Sequence, residues 1–234
     1  MKIFAILFIL IFFVSCGEQN EISVLKNDIN DGLSEEHRNE FRRDIVEVTN
    51  GVYSGIGFGL ANSIMIETSD GLVIVDTLGS EERATEMLTE FRKISSKPIK
   101  AIIYTHNHLD HIGGTTIFAR EGEPEIYAQE NILYNIDNIS TRIRPIIFER
   151  SARQFGIPLP EDKIVHQGIG GFLEINDEAT IGLLRPTITF KDKLDLKIDD
   201  LAIELVHVPG ETDDHLYVWL PAVSYTHLTL PTKD

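Results

Sequence analysis

Four side chains of the kind that bind metal ions fall within six residues of this chain, directly after an apolar run. The stretch reads "IKAIIYTHNHLDHIGG", and the four residues are His106, His108, Asp110 and His111. Imidazole nitrogen and carboxylate oxygen without thiolate suit Zn²⁺ and also permit Mn²⁺ or Fe²⁺. In an extended loop, His106 and His108 point to one side and can hold one ion, and a turn can aim Asp110 and His111 at a second. A solvated polar loop is the alternative interpretation, but it would not require this spacing.

Local signals around the motif predict a sheet with helices packed against it. Two short β-type runs surround the turn pair Asn50-Gly51. Ser80 is a suitable N-cap for a segment whose apolar residues recur at helical spacing, and Pro98 ends that helix before the apolar strand. Active sites in such layered folds lie in loops beyond the strand ends. The metal-type motif at His106 occupies such a position.

The N-terminal segment has the features of an export signal. Lys2 precedes an apolar run that is too short to span a membrane with ordinary flanks. The following "FVSC" resembles a bacterial lipoprotein cleavage box, which implies that Cys16 is lipidated; a cleaved signal with an incidental cysteine is the alternative. We therefore expect a signal peptide at 1–15, a polar tether at 16–43, and a lipid-anchored protein in the periplasm or cell envelope.

The charge of the chain limits its partners. The 234 residues carry a formal net charge of −16 and are 42% hydrophobic, which suits one globular domain with extensions. Because binding to phosphate backbones needs an excess of Lys and Arg, nucleic acid is not an expected partner. We expect contact with the membrane through the lipid anchor only, and a small molecule as the substrate.

The metal-type loop resembles the HxHxDH motif of the metallo-β-lactamase superfamily. Asp76, at the end of the apolar run "LVIVDT", matches that superfamily's structural aspartate, which supports the metal loop. The resemblance implies an αββα sandwich, an α/β (α+β) fold with a dinuclear site at one sheet edge. It also implies two Zn²⁺ ions held by His106, His108, Asp110 and His111, with Asp110 in a catalytic role beside an activated water.

Several further segments narrow the resemblance to the alkyl sulfatase group of this superfamily. They are "GLANSIMIE", "KPIKAIIYTHNHLDH", "RPIIFERSARQFG" and "IELVHVPGETDDHLYVWLP", and the likeness covers about residues 46–221. It implies a Zn-dependent hydrolase of sulfate esters of long-chain alcohols. Another ester hydrolase of the superfamily, or a non-catalytic metal-binding lipoprotein, are the alternatives.

One position departs from the superfamily pattern. Many members carry PGHT in a later loop, where the histidine binds the first metal, whereas this chain has "PGET" with Glu211 in its place. Glu211, His207 and His215 are therefore three candidates for a further ligand, and each is also compatible with an ordinary loop or strand residue. The departure argues against a true β-lactamase.

Arginines concentrate after the motif in an otherwise acidic chain. Arg150 and Arg153 are three residues apart, so they can share a helix face and bind sulfate oxygens. A solvated helix face is the alternative. The nearby apolar residues Ile143, Ile146, Ile147 and Phe148 can line an alkyl-chain pocket, although core packing is the default expectation.

The C-terminal segment 222–234, "AVSYTHLTLPTKD", resembles a translated sequencing-library adapter. We therefore expect native sequence to end near Pro221 and the catalytic domain at 44–221 to be partial. On this interpretation His227 is not a metal ligand. We also expect the 234-residue product to be poorly soluble and to bind metal weakly, because later strands and ligands of the superfamily would be missing.

Overall fold

The computed structural model describes residues 42–156, 158–159 and 179–227. The predicted signal peptide 1–15, Cys16 and the tether up to residue 41 lie outside the described residues, as do residues 228–234 of the predicted tail. These assignments stay predictions. Among the helices that are described, none combines the length and the apolar character needed to cross a membrane.

The larger sheet has seven strands, and their spatial order follows the chain. Strands β1 to β4 pair antiparallel, and β4 to β7 pair parallel. The strands are β1 (Asp44–Thr49), β2 (Val52–Ile56), β3 (Ser63–Glu67), β4 (Leu72–Val75), β5 (Ile99–Ile103), β6 (Glu125–Gln129) and β7 (Ile188–Phe190). The predicted hairpin at Asn50-Gly51 is confirmed, and Gly51 has the positive φ of 74° that favours glycine in such turns.

The smaller sheet has four antiparallel strands in the order β11-β10-β9-β8. They are β8 (Lys193–Ile198), β9 (Leu201–His207), β10 (Leu216–Leu220) and β11 (Tyr225–His227). A short 3-10 helix at Pro221–Val223 joins the last two strands. Strand β11 falls within the segment that the sequence assigns to a non-native tail, and that assignment stays a prediction.

Five α-helices are described, and the first has the predicted cap. They are α1 (Glu81–Ile94), α2 (Leu109–Ile112), α3 (Thr115–Ala119), α4 (Ile132–Thr141) and α5 (Arg144–Gln154). The Ser80 hydroxyl accepts a hydrogen bond from the backbone N–H of Arg83, which satisfies one donor of the first turn. Helix α1 ends before Pro98, as the sequence predicts.

Two apolar layers hold the domain together, one on each face of the larger sheet. Side chains alternate along β5, so Ile102 packs among the helices while Ala101 and Ile103 face the smaller sheet. Fully burying one such isoleucine stabilises the fold by about 1.5–3 kcal/mol relative to leaving it exposed. The chain therefore forms the predicted sandwich of the α/β (α+β) class, with helices against one face of the larger sheet and the smaller sheet against the other.

Candidate metal centre

The candidate metal ligands His106, His108, Asp110 and His111 follow strand β5, which ends beside the parallel strand β4. Val75 of β4 is paired with Ile103 of β5, so the residues that follow these strands meet at one sheet edge. A third segment, the loop between β9 and β10, joins them because the backbone N–H of Leu216 donates to the carbonyl of Thr105 at 2.9 Å. Three loops that are far apart in sequence thereby converge on His106.

Gly113 allows the metal loop to pack closely against the loop that follows β4. His108 is the N-cap of the short helix α2, which carries Asp110 and His111. A Cβ on Gly113 would lie 2.1 Å from the carbonyl oxygen of Gly79, far inside van der Waals contact. The chain after His111 can therefore approach the β4 loop only because the residue there has no side chain.

Asp76 holds the metal loop through contacts with Thr105 and His111. Its carboxylate is fully buried, accepts from the backbone N–H of Thr105 at 2.8 Å and from the Thr105 hydroxyl at 2.7 Å, and lies 2.6 Å from Nδ1 of His111. A carboxylate at one ring nitrogen of a histidine fixes the ring orientation and leaves the other nitrogen for a metal. The supporting role of Asp76 stays a prediction, and these contacts are the geometry on which it rests.

His106, His108 and Glu211 form one group of ligand-type atoms. One such atom from each residue lies within 4.8 Å of the other two. Glu211 Oε1 is 3.1 Å from His108 Nδ1, and Glu211 Oε2 is 3.8 Å from His106 Nε2. The His108 contact outweighs partial burial and lowers the pKa of Glu211, so this residue is a carboxylate at neutral pH.

This group fits a zinc ion by its chemistry. His106 Nε2 is buried and has no hydrogen-bond partner among the described residues. Burial, followed by the neighbouring rings of His111 and His108, lowers the pKa of His106 to about 2, so its ring is neutral. Two imidazole nitrogens and one carboxylate oxygen are a usual donor set for Zn²⁺, and an ion between them would satisfy the unpartnered nitrogen.

Asp110 and His111 form an adjacent pair. Asp110 Oδ2 is 3.4 Å from His111 Nε2, and the rings of His106 and His111 are centred 4.1 Å apart. Burial opposes charge on both groups, but Asp110 and Asp76 raise the pKa of His111 well above its ordinary value, and His111 lowers the pKa of Asp110 to about 2. A second ion at this pair would therefore replace a proton on His111 Nε2.

The other histidines near this edge make different contacts. His207 Nε2 donates to the backbone carbonyl of Asp213 at 2.7 Å. The buried ring of His215 is centred 5.4 Å from that of His106, and its Nδ1 lies 3.3 Å from the carbonyl of Val208. Within the described part of the chain, neither joins the group of His106, His108 and Glu211.

His227 is also buried, at the end of β11. Burial lowers the pKa of His227, and its Nε2 has no hydrogen-bond partner among the residues that the structure describes. His227 falls within the segment 222–234 that the sequence predicts to be non-native, and the superfamily motifs in this chain do not include it. We therefore assign it no role.

Arg150 and Arg153 lie on helix α5, as the sequence predicts. Both side chains are exposed, and neither contacts the His106 group within the described residues. Helix α5 has no buried residue, with Ile146 60% and Phe148 58% exposed. The default expectation of core packing is therefore wrong for Ile146 and Phe148, whereas Ile143 and Ile147 are partly buried.

Comparison with known proteins identifies relatives over most of this domain. A linear primary-alkylsulfatase from Pseudomonas sp. is 42% identical over 164 residues, which are 67% of this chain and 30% of that protein. The alkyl/aryl-sulfatase BDS1 of Saccharomyces cerevisiae is 28% identical over 205 residues, which are 83% of this chain and 31% of the relative. The chain thus spans about a third of the length of these relatives.

The solved structure of the stereoselective inverting sec-alkylsulfatase Pisa1 from Pseudomonas sp. has the same fold. It superposes with a TM-score of 0.68 and 25% identity, over 77% of this chain and 30% of that one. The sequence model of the metallo-beta-lactamase superfamily matches residues 56–226, a span that contains the metal loop, Asp76 and Glu211. The chain belongs to the metallo-beta-lactamase superfamily.

Proposed function

We propose that this protein is a zinc-dependent hydrolase of alkyl sulfate esters. The observation that carries the proposal is the convergence of Glu211 with His106 and His108, in a loop that sequence alone left open between three candidates. The sulfatase names of the relatives support the substrate class. His106, His108 and Glu211 would hold the first ion, and Asp110 and His111 would hold the second.

The two ions, when bound, would supply Lewis acidity and lower the pKa of a water molecule. Side chains of this protein orient the ligands and accept hydrogen bonds at the centre. Asp76 keeps the His111 ring oriented, since its carboxylate lies 2.6 Å from Nδ1. The pKa of Asp110 is lowered to about 2, so its side chain is a carboxylate at neutral pH. It can therefore accept a hydrogen bond from the water molecule that acts as the nucleophile.

The exposed side chains of helix α5 are consistent with a substrate that has a charged head and an apolar tail. It carries Arg150 and Arg153, which suit an anionic sulfate head, together with the exposed apolar residues Ile146 and Phe148, which suit an alkyl tail. We propose that these two exposed arginines bind the sulfate group of the substrate, although neither contacts the His106 group among the described residues.

The test compares substrates in the zinc-loaded protein. A medium-chain alkyl sulfate and a cephalosporin are assayed at equal concentration, and bound metal is measured by elemental analysis. We expect about two Zn²⁺ ions per chain and preferential turnover of the alkyl sulfate in a version with a complete catalytic domain, and weaker metal binding in the 234-residue product. Faster turnover of the cephalosporin would overturn the substrate assignment, and bound metal without turnover of either would favour a non-catalytic metal-binding protein.

Substitution of Glu211 tests its proposed role as a metal ligand. Glu211→Gln should weaken zinc binding, because a neutral amide oxygen is a poorer ligand than a carboxylate. Glu204→Gln is the matched control, since Glu204 lies on β9 and pairs with Lys193 at 2.9 Å. Equal zinc affinity in the two variants would remove Glu211 from the centre.

We also propose that the mature protein is exported and anchored by lipid on Cys16. The support is the cleavage-box sequence that precedes this residue, which is the chain's single cysteine. Labelling with a fatty acid should modify the wild-type protein and leave Cys16→Ser unmodified. Labelling of both to the same extent would contradict the anchor.

A further inference from the structure

Glu211 lies in a loop that does little to fix its own carboxylate. The backbone N–H of Val208 donates to the carbonyl of His215 at 2.9 Å and closes the base of this loop between β9 and β10. Beyond the base, the Glu211 side chain remains 30% exposed. From the end of β9, His207 Nε2 donates to the backbone carbonyl of Asp213 at 2.7 Å, but this bond does not involve the side chain of Asp213 or Asp214. The two oxygens of Glu211 face His106 and His108, and a contact from outside the loop helps to hold them there.

Helix α4 provides that contact through two asparagines on one face. Asn135 Nδ2 donates to Asp213 Oδ1 at 2.6 Å and to Asp214 Oδ1 at 3.1 Å. Asn131 Nδ2 donates to the backbone carbonyl of Asp213 at 3.3 Å. Residues four apart lie on the same side of a helix, so both amides reach the segment that follows Glu211.

Helix α4 is itself fixed to the core, which makes it a suitable anchor. Ile132 is 1% exposed and Ile136 is 7% exposed, and both pack against the larger sheet. The helix start is held as well, because the backbone N–H of Asn131 donates to Gln129 Oε1 at 2.6 Å. A contact from Asn135 therefore ties the Glu211 loop to the rigid part of the domain.

The charges of the loop explain why an amide is needed at position 135. Asp213 and Asp214 are adjacent acids in a chain with a net charge of −16, and Asp214 is only 1% exposed. A donor shared by two neighbouring carboxylates offsets part of the repulsion between their charges. The two N–H bonds of one neutral amide, on Asn135, supply that donor without adding charge.

We propose that Asn135 is a positioning residue, which holds Glu211 at the metal centre by clamping Asp213 and Asp214 against helix α4. The proposal rests on the proposed metal centre. Asn135 acts through the loop, because its own amide contacts the two aspartates and not the His106 group.

The experiment measures Co²⁺ affinity and the visible absorption of bound Co²⁺ in the purified full chain. Asn135→Ala should weaken binding roughly tenfold, the usual size of a supporting contact to a ligand, and should change the absorption intensity. Asn138→Ala is the matched control, because Asn138 lies on the same helix and its side chain has no hydrogen bond to a described residue. It should bind Co²⁺ like the wild type.

Two further variants separate positioning from simple packing. Asn135→Asp has nearly the same size but adds a third carboxylate, so it should bind Co²⁺ more weakly than Asn135→Ala; wild-type affinity in this variant would overturn the clamp. In a Glu211→Ala background, Asn135→Ala should cause no further loss of affinity. Additive losses would also overturn the clamp.

The same set distinguishes failure of the clamp from failure of the metal centre. Normal Co²⁺ affinity in Glu211→Ala would contradict the proposed centre itself. Weak affinity in Glu211→Ala together with normal affinity in Asn135→Ala would contradict only the clamp.

Discussion

Replacing Asp76 by asparagine removes one charge from the base of the metal loop without changing the size of the side chain. Asp76 is fully buried and faces three donors, namely the backbone N–H of Thr105, the Thr105 hydroxyl and Nδ1 of His111. A carboxylate can accept from all three, but an amide has one oxygen and an NH₂ group that donates. At least one of these contacts must therefore be lost.

Both orientations of the new amide harm the site. If the amide oxygen stays on the Thr105 N–H, the NH₂ group faces His111 Nδ1 and forces the ring proton onto Nε2, the nitrogen needed for metal. If the amide flips, its NH₂ group opposes the Thr105 N–H, which is then a buried donor without a partner. Leaving such a donor unsatisfied costs about 1–3 kcal/mol.

The expected size follows from the burial of these contacts. Hydrogen bonds to a charged group contribute about 1.5–3 kcal/mol each, and complete burial of Asp76 means that solvent does not screen them. We therefore expect Asp76→Asn to lower the free energy of unfolding by about 2–3 kcal/mol. It should also lower the affinity for the second zinc ion roughly 10- to 100-fold, which is the usual effect of removing a group that supports a metal ligand.

Urea unfolding and zinc calorimetry measure these two effects. Asp195→Asn is the matched control, because its side chain is 72% exposed on β8 and its pair with Lys193 lies at the surface. The control should change the free energy of unfolding by less than about 0.5 kcal/mol. Equal stability and equal zinc affinity in the two variants would refute the anchoring role of Asp76.

Two other substitutions test packing and burial. Gly114→Ala should lower the free energy of unfolding by about 1–3 kcal/mol, because its Cβ would lie 2.4 Å from the Cβ of Ala84 and from the carbonyl of Thr77. Gly59→Ala, whose Cβ would have no neighbour closer than 3.7 Å, is the control, and an equal loss in both would contradict this reasoning. Burial raises the pKa of Asp214 above its ordinary value of 3.8, so this group favours folding below that value and loses its contribution as the pH rises through the raised pKa. Asp214→Asn should therefore gain more in thermal midpoint over the wild type at about pH 8 than at about pH 4, and an equal gain at both would contradict the burial effect.

The strands and the metal loop could be predicted because their signals are local. The turn at Asn50-Gly51, the cap at Ser80 and the apolar run before His106 each specify nearby backbone, and all three are confirmed. The supporting role of Asp76 is inferred from resemblance and stays a prediction; its carboxylate lies 2.6 Å from Nδ1 of His111.

The choice among Glu211, His207 and His215 could not be made from sequence, because it depends on how the loop between β9 and β10 closes against the rest of the domain. That closure involves Asn135, which carries no motif of its own and is brought near the loop only by the tertiary fold. Local pattern also failed for Phe148, because an apolar residue on a helix predicts burial only when a partner surface is present.

The most direct test of the metal centre is a crystal structure of the zinc-soaked protein with anomalous data recorded at the zinc edge. The geometry predicts an anomalous peak bounded by His106 Nε2, His108 Nδ1 and the carboxylate of Glu211, whose ligand atoms already lie within 4.8 Å of one another. A zinc ion bound only elsewhere, with Glu211 turned into solvent, would contradict the assignment of this centre.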